Sequence, residues 1–136
     1  MKELTVDATI ENIHTVTAFV SEELEANECP VKTVMKVEIA IDEIFTNIAS
    51  YAYKPGTGQA TVGVEVLAEP KMAVVTFMDG GVPYNPLEKA DPDVTLSAAE
   101  RPIGGLGIYM VKKSMDDVCY EYRDGKNILQ IKKLFD

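Results

Sequence analysis

The chain has 136 residues, 22 of them acidic and 13 basic, for a formal net charge of −9, and it holds a single histidine. An acidic excess of this size argues against a nucleic-acid or anionic-membrane surface, which needs clustered Lys and Arg. It leaves room for an anionic nucleotide, because backbone N–H groups and a metal can supply positive field. One histidine, His14, rules out a Ser-His-Asp or zinc site unless it serves there itself.

Leu4, Val6 and Ala8 alternate with polar neighbours, which predicts a first strand over 3–8. Met1 to Leu4 lead into that alternation rather than into an apolar run, so no signal peptide is expected. No stretch reaches the ~18 apolar residues that span a bilayer, and a cytoplasmic protein is the expectation. Ile10, Ile13, Val16, Val20 and Leu24 step at helical spacing and predict a helix over 10–28, with Thr9 as N-cap. Pro30 can open a second helix, where its missing N–H costs nothing. That helix should run over 30–53, with Val34, Val37, Ile41, Ile44 and Ile48 as its apolar stripe. Lys54 to Gly58 break it. Val62, Val64 and Val66 mark a half-buried strand, and Glu69 to Lys71 a hairpin connection. Met72 to Met78 is nearly all apolar, as suits a central strand covered on both faces. Residues 82–104 hold Pro83, Pro86, Pro92 and Pro102 and read as a lid or mobile connection. A helix over 105–116 and strands at 118–122 and 128–134, turned by Asp124-Gly125, complete the chain. Cys29 and Cys119 read as reduced core residues rather than a disulfide or metal pair.

Three short patterns carry chemistry. Glu43 and Asn47 are four apart, so a carboxylate and an amide sit side by side on the second helix, roughly 120° from the middle of its apolar stripe. A solvated polar face gives the same pattern. Asp79-Gly80-Gly81 closes the apolar strand. Its carboxylate can accept a hydrogen bond from an exocyclic amine while the glycines let the backbone turn beside a flat ring, or the three residues form a hairpin turn. Gly104-Gly105-Leu106-Gly107 precedes an amphipathic helix. Backbone N–H groups and the helix N-terminus there can cradle phosphate, or the glycines form a hinge.

In this order, and together with Tyr51, Tyr53, Pro83, Asn85, Pro86 and the run from Ile108 to Val118, the patterns resemble the Bergerat-fold (GHKL) ATPases. Within that superfamily they are most similar to the stand-alone anti-sigma-factor serine/threonine kinases. The resemblance implies an α+β, two-layer domain over 1–136. A mixed, mostly antiparallel sheet would carry helices on one face, with ATP between the helical layer and the lid. It implies that Asn47 binds Mg²⁺ and that Glu43 is the general base. Asp79 would meet the adenine amine, with Gly81 beside the ring. Gly104, Gly105, Leu106 and Gly107 would lie against the phosphates. Arg101 is inferred, from charge and position, to pair with a terminal phosphate. Two departures stand out: Tyr51 replaces a histidine frequent in the family, and the lid has only Lys89 and Arg101 as basic residues.

The function implied is an ATP- and Mg²⁺-dependent serine/threonine protein kinase that sequesters a sigma factor or similar target. It would phosphorylate a small STAS-like antagonist and could form a homodimer. A non-catalytic ATP-dependent binding switch is the alternative, though a pure binder does not need Glu43. A histidine-kinase catalytic domain fits less well, since His14 lacks an acidic follower.

Overall fold

Alternation in the strands sets the sheet. A computed structural model describes residues 1–53, 56–88 and 106–135. Their strands are β1 (Lys2–Asp7), β2 (Gln59–Ala68), β3 (Lys71–Asp79), β4 (Asp117–Arg123) and β5 (Lys126–Leu134). The sheet order is β1-β2-β3-β5-β4, and every pairing is antiparallel. The mixed component expected of the sheet is therefore not seen among the described residues.

Register aligns the apolar side chains into rows across the sheet. Leu4, Val62, Phe77, Leu129 and Tyr120 are successive cross-strand partners. Val64, Val75, Ile131 and Val118 form the next row. Because side chains alternate with period two, both rows face the same side. Against that side lie α1 (Ile13–Ala26), α2 (Val31–Asn47) and α3 (Leu106–Ser114), with α2 touching both of the other helices. Phe45, Ile41 and Ile44 of α2 meet Phe77 and Val75 in one core. Each such fully buried side chain contributes about 1.5–3 kcal/mol.

β3 is central, and Ala73 to Phe77 are all buried, as the apolar run predicts. Helices cover only one of its faces. On the other, Thr76 is buried and accepts a hydrogen bond from Gln130 Nε2 at 3.1 Å.

Several boundaries shift. The first helix opens with a 3-10 turn, Ile10–Asn12, and α1 begins at Ile13. Thr9 makes no side-chain cap. Asn12 ties the entry instead, donating to the Asp7 carbonyl at 2.8 Å. α2 starts after Pro30, whose carbonyl accepts from the Thr33 and Val34 N–H groups. It ends at Asn47, and a π-helical turn, Ile48–Ala52, carries the chain on. Cys29 is buried as expected, but Cys119 is exposed on β4, so it is not a core residue. No helix among the described residues is long and apolar enough to cross a membrane.

Candidate functional site

The inward rows of the sheet do not end in apolar side chains. Asp79 follows Ala73, Val75 and Phe77 at period two, so its carboxylate points toward the helical layer. Its cross-strand partner is Asn127 on β5. Both are only 7% exposed. A buried carboxylate needs partners, and Asp79 Oδ1 has two: the Gly81 N–H and Asn127 Nδ2, each at 2.9 Å. No hydrogen bond reaches Oδ2 among the described residues. One oxygen is thus fixed, and the other is left to accept from a ligand.

Asn127 is the hub of this end of the site. Its Nδ2 also donates to the Val82 carbonyl at 2.9 Å, and its Oδ1 accepts from the Tyr84 N–H at 3.0 Å and from the Tyr120 hydroxyl. Burial pushes the Tyr120 phenol above its ordinary value, and the Asp79 charge acts in the same direction. The phenol therefore stays protonated at neutral pH and serves as a donor. Sequence reasoning missed Asn127, Tyr120 and Tyr84. A polar residue at an inward position of an otherwise apolar strand was the available signal for Asn127.

Asp79-Gly80-Gly81 is not a hairpin turn. β3 pairs with β2 and β5, while the chain after Asp79 crosses to the end of the second helix. The Val82 N–H donates to the Ala52 carbonyl at 2.9 Å. A Cβ at Gly81 would overlap that same carbonyl, so the glycine is required for backbone against backbone. Tyr53 braces the turn: its hydroxyl accepts from the Gly80 N–H at 2.7 Å and donates to the Gln59 carbonyl at 2.5 Å.

A cavity of about 550 Å³ opens beside Asp79. Glu43, Asn47 and Tyr51 line it from the second helix, Val82 and Tyr84 from the segment after β3, and Gly107 and Ile108 from α3. Glu43 lies nine residues before Ala52, about 13 Å along the axis at ~1.5 Å per residue, so the two carboxylates sit toward opposite ends. Asn47 is the last residue of α2, directly before the π-helical turn, a feature that often marks functional sites. Gly81 itself does not line the cavity among the described residues.

At the other end, a Cβ on Gly107 would overlap the Glu43 carboxylate. Gly107 thus lets the start of α3 approach that acid. The described walls carry two carboxylates, Glu43 and Asp79, and no Lys or Arg. Lys89, Arg101, Gly104 and Gly105 fall outside the described residues, as do residues 89–104 of the expected lid and the side chain of Leu106. Among the described residues, no cluster of three or more His, Cys, Asp or Glu could hold a metal by itself. A metal here would need oxygens from its ligand as well as from protein.

The arrangement fits a flat, amine-bearing group at Asp79 and a polar or charged tail toward Asn47 and Glu43. The chain matches the family described as histidine kinase-like ATPase domain over residues 6–133. It is similar to a serine-protein kinase RsbW of Bacillus mycoides (strain KBAB4), 33% identical over 100 residues, which are 71% of this chain and 61% of that protein. It is 34% identical, with the same coverage, to a protein of the same name from Bacillus cereus (strain B4264). The chain spans about 61% of the length of these curated relatives. The helix-strand-helix order of the motifs, the antiparallel sheet under one helical layer and a family match over nearly all residues agree, and the chain belongs to the histidine kinase-like ATPase domain family.

Proposed function

We propose that residues 1–136 act as one ATP-binding domain, a cytoplasmic serine/threonine protein kinase of the partner-switching type. The observation that carries the reading is Asp79. It is a buried carboxylate with one oxygen held by Gly81 and Asn127 and the other without a hydrogen bond among the described residues, beside a 550 Å³ cavity. That oxygen suits the exocyclic amine of adenine, and Ile44, Ile48 and Leu129 offer the apolar walls a ring needs.

The triphosphate tail would extend toward Asn47. With no basic side chain in the described walls, its charge calls for Mg²⁺. The Asn47 amide oxygen would be one ligand, with phosphate oxygens and water as the others. The backbone N–H groups at the start of α3 add positive field, and Gly104, Gly105, Leu106 and Arg101 are assigned there by motif. ATP supplies the transferable phosphoryl group. Glu43 would accept the proton of a partner's serine or threonine hydroxyl and orient its oxygen. The remaining catalysis is positioning. Likeness to relatives named serine-protein kinase supports a protein serine as acceptor; the resemblance to anti-sigma-factor kinases implies a small STAS-like antagonist as substrate and a sigma factor or similar protein as the sequestered target. A homodimer is part of this reading.

Asp79→Asn tests the nucleotide assignment. Titration calorimetry with ADP should show affinity falling at least about a hundredfold, as one buried charge-assisted hydrogen bond is lost. Unchanged affinity refutes the adenine role. Labelled ATP with a candidate antagonist then separates a kinase from a binding switch.

A further inference from the structure

α3 begins at Leu106, so Gly107 lies in its first turn, and Gly107 and Glu43 both line the cavity. Glycine weakens a helix, so its presence there calls for a reason. Two ordinary reasons do not apply. The backbone of Gly107 is helical, and among the described glycines positive φ is found at Gly125. A Cβ at 107 would also meet side-chain atoms before any backbone outside its own helix. Its three nearest atoms are the carboxyl carbon and both carboxylate oxygens of Glu43. Gly81 is the contrast, because its Cβ would strike the Ala52 carbonyl, which cannot shift without moving the chain. The end of a glutamate swings aside by changing rotamer. The fold can therefore accept a side chain at 107, whereas the Glu43 carboxylate cannot keep its place beside one. No hydrogen bond or ion pair from a described residue reaches that carboxylate. Packing against the bare Cα of Gly107 is what locates it.

We propose that Gly107 is a positioning residue for Glu43, its missing side chain forming the seat that holds the acid at the cavity wall. The inference rests on the reading of Glu43 as the base. In that reaction the acceptor hydroxyl oxygen bonds the γ-phosphorus while the bond from that phosphorus to the ADP oxygen breaks. The hydroxyl proton passes to the Glu43 carboxylate. A base works only within hydrogen-bond reach of the proton it takes. A methyl group at 107 would fill the space the carboxylate now occupies, and a misplacement of about 1 Å can cost about a hundredfold in rate. A glycine kept bare for phosphate would behave differently. Its substitution would be harmful whether or not Glu43 is present.

The test compares wild type, Gly107→Ala, Glu43→Ala and the double variant. In the ATP-free wild type, a nuclear Overhauser effect should link the Glu43 γ-protons to the Gly107 α-protons. Gly107→Ala should melt at or slightly above the wild-type temperature, since alanine favours a helix over glycine. Single-turnover transfer from γ-labelled ATP is read on the serine-bearing antagonist that accepts phosphate from the wild type. Gly107→Ala should lower it about thirtyfold or more. In the Glu43→Ala background the same substitution should change transfer and Mg²⁺–ATP affinity by less than about twofold, because the methyl group then meets no carboxylate. Absence of the Overhauser effect overturns the inference whatever the activity. So does wild-type transfer by Gly107→Ala, or a melting temperature well below wild type, which would place the need for glycine in folding. Weaker Mg²⁺–ATP binding or lower transfer in both backgrounds would assign Gly107 to the phosphates and refute the seat. Full-rate transfer by Glu43→Ala with the Overhauser effect intact is a different failure: it refutes the base reading, and the positioning role falls with it.

Discussion

Replacing Asn127 by aspartate changes one atom type and should change the chemistry of the whole adenine-proposed end. The native amide donates to Asp79 Oδ1 and to the Val82 carbonyl, each at 2.9 Å, and the site is 7% exposed. A carboxylate cannot donate either bond. It also stands about 3 Å from another carboxylate, where two unit charges repel by about 5 kcal/mol at an effective dielectric of ~20. Water in the cavity and small rearrangements soften this, and a net loss of about 4 kcal/mol at pH 8 is expected for Asn127→Asp. The pair can escape by taking up a proton, so its shared carboxyl value is raised above the ordinary ~3.9 of aspartate. A group raised in the folded state gives its full stability below the unfolded value and loses it as pH rises through the folded one. The variant should therefore lie closest to wild type near pH 4–5, where a protonated carboxyl can again donate to Asp79, and farthest at pH 8. Urea denaturation of both proteins across this range is the assay. Asn127→Ala provides the comparison: it removes the same donor to Asp79 Oδ1 and to the Val82 carbonyl but adds no charge, so its deficit should grow with pH less steeply than that of Asn127→Asp. A variant as stable as wild type at pH 8, or a deficit without pH slope, would refute the coupling of Asn127 to Asp79.

Gly81→Ala should destabilise by about 3 kcal/mol or more, because its Cβ would overlap the backbone carbonyl of Ala52; thermal unfolding measures this. Glu43→Ala and Asn47→Ala should fail differently under the proposed mechanism. The first should keep nucleotide affinity while single-turnover transfer falls about 10²–10⁴-fold, and the second should lose Mg²⁺-dependent binding and transfer together. Transfer at the wild-type rate by Glu43→Ala ends its assignment as base. Asp116 accepts from the Leu134 N–H at 2.7 Å and from Lys133 at 3.2 Å, and the backbone bond foremost holds its carboxyl below the ordinary range. Its contribution, about 0.5–1 kcal/mol, is present above the unfolded aspartate value and lost as pH falls through the lower folded one. Asp116→Asn should thus differ from wild type at pH 7 and converge with it in acid, as read by unfolding midpoints.

Much of the layout is local physics and was legible in the residues. Period-two alternation in Val62, Val64 and Val66, and the unbroken apolar run from Met72 to Met78, specify strands because side chains alternate across a pleated backbone. The step of three and four from Val34 to Ile48 specifies a helix with one buried face for the same geometric reason. Glu43 beside Asn47, Asp79 at a strand end and Gly107 at a helix start follow from counting along single elements. The turn at Asp124-Gly125 follows from its residue types, and both adopt positive φ.

What the sequence could not decide is what those elements meet. Asn127 stands 48 residues from Asp79, and only the β3–β5 register makes them partners. Gly81 has a need that no local pattern shows, since a Cβ there would overlap the Ala52 carbonyl on another element. Val31, Met35 and Ile39 are apolar like their neighbours yet exposed, and helical spacing alone does not tell a second stripe from a wider core face. Burial is a property of the packed layers. A sequence fixes which side chains share a face of one element, and only tertiary packing determines which faces find a partner and which stay open to solvent.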